Sequence, residues 1–403
     1  MTGDGLLSEA RALLPEVVEL RRRIHAQPEL GLVLPRTQEA VLEALEGLGL
    51  EVRTGGSTSA VVASLTGGAG PGPTLLLRAD MDALPLEEDT GLAFRSQEQG
   101  AMHACGHDAH VAMLAGAARL LAGRRDGLRG TFKFLFQPGE EGHAGARVLI
   151  EEGLLEHAPR VEAAFAIHVD PTLPSGAMAI RPGPILAAGD VFSIDLTGRG
   201  GHAAQPHDAR DPIPVACEIV MALQALVTRR MHAFDPVVLS VTRIRAGTNA
   251  NIIPSTANVL GTIRSFSERA RRRIHEKLEQ LVKGIAEAHG IEVKVHLIPG
   301  YPVTTNHDGF AAFAREVGRD LLGGDRVIDL AAPVMGAEDF SYILERVPGA
   351  MVFLGARPGD TPAEPLHSNR MVLDEDALAT GTALHAAVAL RWAEQQGALE
   401  PSG

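Results

Sequence analysis

Thr74-Leu75-Leu76-Leu77-Arg78-Ala79-Asp80-Met81-Asp82 runs from an uninterrupted apolar stretch straight into charge. A short apolar run bounded by polar residues reads as a buried strand, here 74–79, and three more runs of that kind, 61–65, 131–136 and 163–167, surround it. Helical periodicity separates them at 111–121 and 146–154. Strands alternating with helices predict an α/β unit with a largely parallel sheet. The polar residues gather at the strand exits: Arg78 to Asp82 after one run, Gln137-Pro138-Gly139-Glu140-Glu141 after another, Ile167-His168 at the end of a third. In open α/β sheets the carboxyl ends of the strands form the ligand crevice, so these side chains are expected to converge.

Downstream the pattern changes. Phe192, Ile194 and Leu196 alternate with polar neighbours, and Ala216, Ile219, Val220, Leu223 and Val227 follow at helical spacing. Two strands, 236–244 and 257–263, then lead to a helix through Ile274, Leu278, Leu281 and Ile285 and a last alternating strand through Ile291, Val293 and Val295. The order β-α-β-β-α-β is ferredoxin-like and predicts a small α+β domain inserted into the first. After Pro299-Gly300 the α/β pattern resumes, with a helix at 310–322, a strand at 350–354 and a final helix from Asp374 to Gln395. The expected division is therefore 1–188 and 299–403 for one domain and 189–298 for the insertion.

A chain of 403 residues exceeds what one hydrophobic core usually serves, and 45% hydrophobic with 22% charged residues is a globular composition. The net charge of −13, with no basic run beyond Arg21–Arg23 and Arg271–Arg273, argues against nucleic acid as a partner. Each arginine triplet is expected on a solvated helix face. The start, Met1-Thr2-Gly3-Asp4-Gly5, lacks a signal-peptide pattern, and no segment is expected to span a membrane, which predicts a soluble cytoplasmic protein. Two cysteines, Cys105 and Cys217, make no disulfide framework. Cys217 and nearby Met221 are expected in the core of the inserted domain, and neither they nor Trp392 are assigned a function.

His103-Ala104-Cys105-Gly106-His107-Asp108-Ala109-His110 places five potential metal ligands in eight positions. Thiolate with imidazole suits zinc, cobalt, nickel or manganese better than magnesium or calcium. The segment has neither the second cysteine pair of a structural zinc site nor the H-x-E and P-C-x-x-C of a nucleobase deaminase, so distant residues are expected to complete it. Glu140-Glu141 offers a division of labour, because adjacent side chains in extended backbone point opposite ways. One carboxylate can bind metal while the other faces the substrate water. Metal-assisted hydrolysis has these parts: two cations about 3.5–4 Å apart activate a water and clamp the scissile carbonyl. A separate carboxylate then moves the protons.

These motifs, with Arg22-Arg23-Ile24-His25 through Gly31, Gly200-Gly201-His202-Ala203-Ala204, Asn251-Ile252-Ile253-Pro254, 335–342 and Pro365-Leu366-His367-Ser368, resemble the amidohydrolase family of hippurate hydrolases, indole-acetyl-amino-acid hydrolases and N-acyl-amino-acid deacetylases, relatives of aminoacylase and glutamate carboxypeptidase. The likeness covers nearly the whole chain. It implies a zinc-exopeptidase-like catalytic domain with a mixed, largely parallel sheet, and two divalent metal ions held by Cys105, His107, Glu141, His168 and His367. It also implies Glu140 as acid/base, Asp80 behind a ligand such as His107, His202 as oxyanion donor, and Asn251 and Arg264 on the substrate carboxylate. Arg78 stands where the wider superfamily has a ligand histidine. A homodimer through the inserted domain is implied as well.

Two departures from the family pattern stand out: Leu32-Val33-Leu34 replaces acidic residues, and Gly139 replaces the usual alanine. His143, two residues past Glu141, is expected in an exposed loop. The expected function is amide hydrolysis of an N-acyl or N-aroyl amino acid. The alternatives are a carboxypeptidase or dipeptidase on short or N-blocked peptides and, more distantly, a binding protein that kept the fold. Presence of all five ligands together with Glu140 argues against the last, and the spare carboxylate argues against a purely structural metal site.

Overall fold

The computed structural model describes residues 3–359 and 363–394. In chain order its main elements are α1 (Gly3–Ala26), β1 (Glu51–Thr54), β2 (Val61–Thr66), β3 (Thr74–Asp80), α2 (His107–Ala122), β4 (Thr131–Gln137), β5 (Ala163–Asp170), β6 (Met178–Ile180), β7 (Ala188–Thr197), α3 (Pro212–Arg230), β8 (Val237–Ala246), β9 (Thr256–Ser265), α4 (Glu268–Ala288), β10 (Glu292–Ile298), α5 (Asp308–Leu322), β11 (Val327–Asp329), β12 (Gly349–Gly355) and α6 (Ala377–Glu394). The expected end of the last helix at Gln395 lies outside the described residues. The chain divides into two compact units, one of residues 1–185, 305–332 and 339–403, the other of 186–304 and 333–338. Residues 333–338 thus belong with the second unit although they lie far downstream of it in sequence.

The first unit is an eight-stranded sheet in the order β1-β2-β4-β3-β5-β12-β6-β11. Its centre, β4-β3-β5-β12, is parallel, while β1, β2 and the β12-β6 pair are antiparallel. Every residue of β3, β4 and β12 is buried, as expected of strands covered on both faces, which explains their largely apolar sequences; Arg78, Asp80, Lys133 and Gln137 are buried polar residues within them. Phe132, Phe134 and Phe136, alternate residues of β4, enter one core with α1, α2 and α6. Each such burial contributes roughly 1.5–3 kcal/mol.

The second unit pairs β8-β9-β7-β10 in an antiparallel sheet with α3 and α4 on one face. The alternation of Phe192, Ile194 and Leu196 follows: these are buried under the helices while their neighbours are half-exposed. Asp211 caps α3 by accepting from the Ile213 N–H at 2.9 Å, and Ser267 caps α4 by accepting from Ala270 at 3.0 Å.

Three expectations are corrected. Cys217 is exposed and Met221 is 71% exposed, because Val215, Ala216, Ile219, Leu223 and Leu226 form the face of α3 that meets the sheet. With both faces apolar, α3 is also long and apolar enough to cross a membrane by length and composition, contrary to the expectation that no segment is; in the structure one face of it packs into the core of the second unit and the other is exposed. Each arginine triplet, finally, buries one member. Arg21 pairs with Asp108 at 3.0 Å and Glu375 at 2.8 Å, and Arg271 with Asp190 at 2.6 Å.

Asp190 accepts from Arg271, His275 and the Gly300 N–H. Burial alone would raise its pKa, but these donors outweigh it and hold the carboxyl at about 2. A folded-state pKa below the unfolded one means stability present above about pH 4 and lost as pH falls through the folded value. Asp190→Asn is expected to cost about 2 kcal/mol near neutrality, and urea unfolding should show that difference shrinking from about pH 5 towards pH 2.

Candidate metal centre

The exits of β3, β4 and β5 meet the start of α2. Gly106 precedes α2 with φ +81°, and a Cβ there would stand 2.5 Å from Val169 Cγ2, so only glycine lets the Cys105–His107 turn close against β5. His367 has φ +66°, a strained conformation for a residue with a side chain, and its N–H is anchored to the Ala104 carbonyl at 2.8 Å. Two segments more than 250 residues apart are thereby joined beside Cys105.

Ligand atoms of Cys105, His107 and His168 lie within 4.8 Å of one another, as do those of Cys105, Glu141 and His367 and those of His107, Glu140 and Glu141. The two buried histidines are oriented alike. His107 Nδ1 donates to the Asp82 carbonyl at 2.8 Å and His168 Nδ1 to the Val169 carbonyl at 2.8 Å, which leaves each Nε2 as the ligand nitrogen. His107 Nε2 is buried without a hydrogen-bond partner, and His168 Nε2 stands 3.5 Å from Cys105 Sγ. A fully buried imidazole nitrogen left unpaired beside a thiol and a carboxylate fits a cation in that position. The electrostatics of the cluster are divided. Burial opposes charge on His107, yet Asp80 and Cys105 raise it well above the ordinary histidine value. Cys105 and Glu141 raise His367 to about 10, whereas burial pushes the Cys105 thiol up and His168 down to about 3.

Asp80 is placed behind His110 more closely than behind His107. Its Oδ1 accepts from His110 Nδ1 at 2.5 Å, whereas His107 Nε2 is 3.7 Å from Oδ2. His110 Nε2 accepts from the Val169 N–H at 2.9 Å, so this ring is turned away from metal duty and supports His168, 4.7 Å away centroid to centroid. His103 and Asp108, also in the octet, face elsewhere: Asp108 binds Arg21 and His25, and burial holds His103 down at about 3. His143 is exposed, as expected.

Sequence reasoning gave no role to Asp82 or Asp339. Asp82 accepts from the N–H groups of both Glu140, at 2.9 Å, and Glu141, at 3.0 Å, and so fixes the loop that aims the two carboxylates. Asp339 accepts from Arg78, Gln137 and the Ala146 N–H, and its own N–H approaches Glu140 Oε1 at 3.4 Å. The available signal was a pair of carboxylates at the exit of a buried strand. Asp82→Ala is expected to weaken metal binding 10- to 100-fold, the range roughly typical of losing an outer support, as read by competition with a chromophoric chelator. The two family departures touch one another. A Cβ on Gly139, which has φ +75°, would lie 2.4 Å from Leu32 Cδ2, so glycine makes room for the apolar residue that replaces an acidic one.

His202, Asn251 and Arg264 belong to the second unit. His202 pairs with Ile252 in a two-residue ladder, and the Ala203 N–H bonds the Asn251 carbonyl at 3.1 Å, so these two are neighbours. His202 Nδ1 accepts from the Ala204 N–H at 3.1 Å, which makes the exposed Nε2 the N–H donor. Arg264 stands on β9, its guanidinium over Gly189, where a Cβ would be 2.0 Å from Nη1.

A sheet with this topology, an inserted α+β unit and a cluster of thiol, imidazole and carboxylate at its strand ends define an amide-bond hydrolase of the exopeptidase type. The model of peptidase family M20/M25/M40 matches residues 76–391, and the chain belongs to that family. It is 39% identical to thermostable carboxypeptidase 1 of Saccharolobus solfataricus over 97% of this chain and 99% of that one. To IAA-amino acid hydrolase ILR1-like 2 of Arabidopsis thaliana it is 38% identical, over 95% and 87%. The crystal structure of the Bacillus subtilis YXEP protein, a dinuclear metal binding peptidase of the M20 family, superposes with a TM-score of 0.82 at 34% identity, covering 94% of this chain and 98% of that one.

Proposed function

We propose that the protein hydrolyses the amide bond of an N-acyl or N-aroyl amino acid, releasing a carboxylic acid and a free amino acid. The observation that carries this is the cluster of Cys105, His107, Glu141, His168 and His367, with a further buried carboxylate, Glu140, beside His107 and Glu141. Cys105, His107, Glu141, His168 and His367 would hold two divalent cations, zinc, manganese, cobalt or nickel. When bound, these supply Lewis acidity to the scissile carbonyl and lower the pKa of water. Glu140 takes the proton of the attacking water and passes it to the leaving nitrogen, so that acid and amine separate. His202 Nε2–H serves the developing oxyanion, and Asn251 and Arg264 hold the substrate carboxylate.

The Arabidopsis relative, by its name an amino acid conjugate hydrolase, favours an N-acyl substrate; the Saccharolobus relative, by its name a carboxypeptidase, favours the second reading of a short or N-blocked peptide. Metal analysis and hydrolysis of N-acetyl and N-benzoyl amino acids, dipeptides and their carboxyl esters separate these readings. About two metals per chain, turnover of acylated amino acids and loss of turnover on esterification are expected. Cleavage of peptides alone moves the assignment to a carboxypeptidase; equal cleavage of the esters removes the carboxylate anchor.

The assembly we propose is a homodimer through the second unit. Ile213, Cys217 and Met221 recur every four residues on the outer face of α3, and β8, an edge strand, exposes Val238 and Ile244. Light scattering on Met221→Glu and the wild type tests it, a monomeric wild type being the adverse result.

A further inference from the structure

The sequence contains four lysines, at 133, 277, 283 and 294. Only Lys133 belongs to the first unit, and it lies in β4 at 3% exposure. Its neighbours Phe132 and Phe134 enter the core, so by strand alternation Lys133 points to the opposite face of the sheet. A cavity of about 350 Å³ opens there, walled by Ala60, Val62, Leu149 and Leu154 with Arg53 and Lys133 among its polar members. That volume is within the range of small-ligand sites, roughly 300–1,000 Å³.

An ammonium carries three donors. One goes to the His157 carbonyl at 2.7 Å, and the others have no partner among the described residues. The acidic residues that also line the cavity are engaged: Glu51 pairs with Arg53 at 2.9 Å, and Glu152 Oε1 accepts from the Ser57 hydroxyl at 2.6 Å and its N–H at 3.2 Å. Lys133 thus makes no direct ion pair among the described residues, although Glu51 and Glu152 stand in the same lining. Burial pushes its pKa below the ordinary lysine value and Arg53 pushes it further, with Glu51 opposing. A cation in this position beside an apolar wall is complementary to a ligand that brings one negative charge and little else. A wholly apolar ligand would leave the N–H donors unpaired, and a dianion would add charge next to Glu51 and Glu152.

We propose that this cavity is a second ligand site, taking a small monocarboxylate with a short apolar or aromatic tail: the carboxylate meets Lys133, the tail Ala60, Val62, Leu149 and Leu154. Lys133 precedes the end of β4 by four residues, about 13 Å of strand, so the site is separate from the donors beyond Gln137. Binding there does not depend on the reaction proposed above.

The test uses the full-length, metal-loaded protein with its lysines labelled at Cε and Nζ. Four signals are expected, the one absent from Lys133→Met, or from Lys133→Arg should the first variant fold poorly, being that of Lys133. Benzoate, butyrate and N-benzoylglycine are titrated against chloride at equal ionic strength. The expected result is a saturable shift of the Lys133 signal alone, with its titration moving to higher pH and no response to chloride. Response to benzoate and butyrate identifies a free acid as the ligand; response to N-benzoylglycine alone identifies an acylated amino acid. Turnover of Lys133→Met should stay within about twofold of wild type on the substrate panel, since Lys133 has no part in the metal centre. A Lys133 signal unmoved by all three carboxylates, moved equally by chloride, or moved together with the other three lysines overturns the proposal and leaves Lys133 as a structural donor to the His157 carbonyl.

Discussion

Glu140→Gln is expected to lower kcat by about 10³-fold while metal content and folding stay at wild-type values; the factor is the middle of the range for a general acid/base. Glutamine keeps the shape of the side chain and one carbonyl oxygen, so packing in this buried position is preserved. What it loses is the ability to accept a proton and return it. The backbone of residue 140 stays fixed, because Asp82 Oδ1 receives its N–H, and the five proposed metal donors are untouched. Single-turnover kinetics with metal analysis on the same sample decide the matter. Full activity would remove Glu140 from the chemistry, whereas loss of metal together with activity would make it a ligand.

The second large effect concerns folding. Arg78 lies in the middle of a buried strand and is 1% exposed. It donates to Asp80 at 2.7 Å, to Asp339 at 2.9 Å and to Gln137 at 3.0 Å. Burial would raise the pKa of Asp80, but Arg78 first, then His107 and His110, holds it well below the usual carboxylate range. Arg78→Met fits the volume and leaves two buried carboxylates facing a methyl group. A cost of about 3–5 kcal/mol is expected, the usual consequence of removing one partner from a buried ionic group. Denaturant unfolding measures it, and the double variant Arg78→Met/Asp339→Asn should recover part of the loss, since one orphaned charge goes with it. A cost below about 1 kcal/mol for the single variant would mean that water or a rearrangement supplies the missing charge.

Much of this centre was legible beforehand for a physical reason. Covered strands are mostly apolar, so charge gathering in Arg78 to Asp82 or Gln137 to Glu141 marks the carboxyl end of the strand and the crevice, while the single Lys133 inside β4 does not interrupt the strand. Chemistry of the donors was legible too, because thiol, imidazole and carboxylate in eight positions have few uses. Partners across the sheet were not. Asp339 reaches Arg78 over 261 positions, and nothing local in either segment specifies the pairing. The same limit explains α3. Its apolar residues exceed what one face can bury, so periodicity could not say that Cys217 and Met221 look outward while Ile219 and Leu223 look inward.

By itself the sequence determined the element order, the ferredoxin-like pattern of the second unit and the residue types gathered for hydrolysis, because these follow from local periodicity and the chemistry of side chains. Only the tertiary structure decided that Asp80 serves His110 and that Asp82 holds the glutamate loop. It alone decided that Leu32 fits over Gly139 and that Lys133 faces a cavity. Those are distances between segments remote in sequence, set by how the strands stack and the loops cross, and no local pattern encodes them.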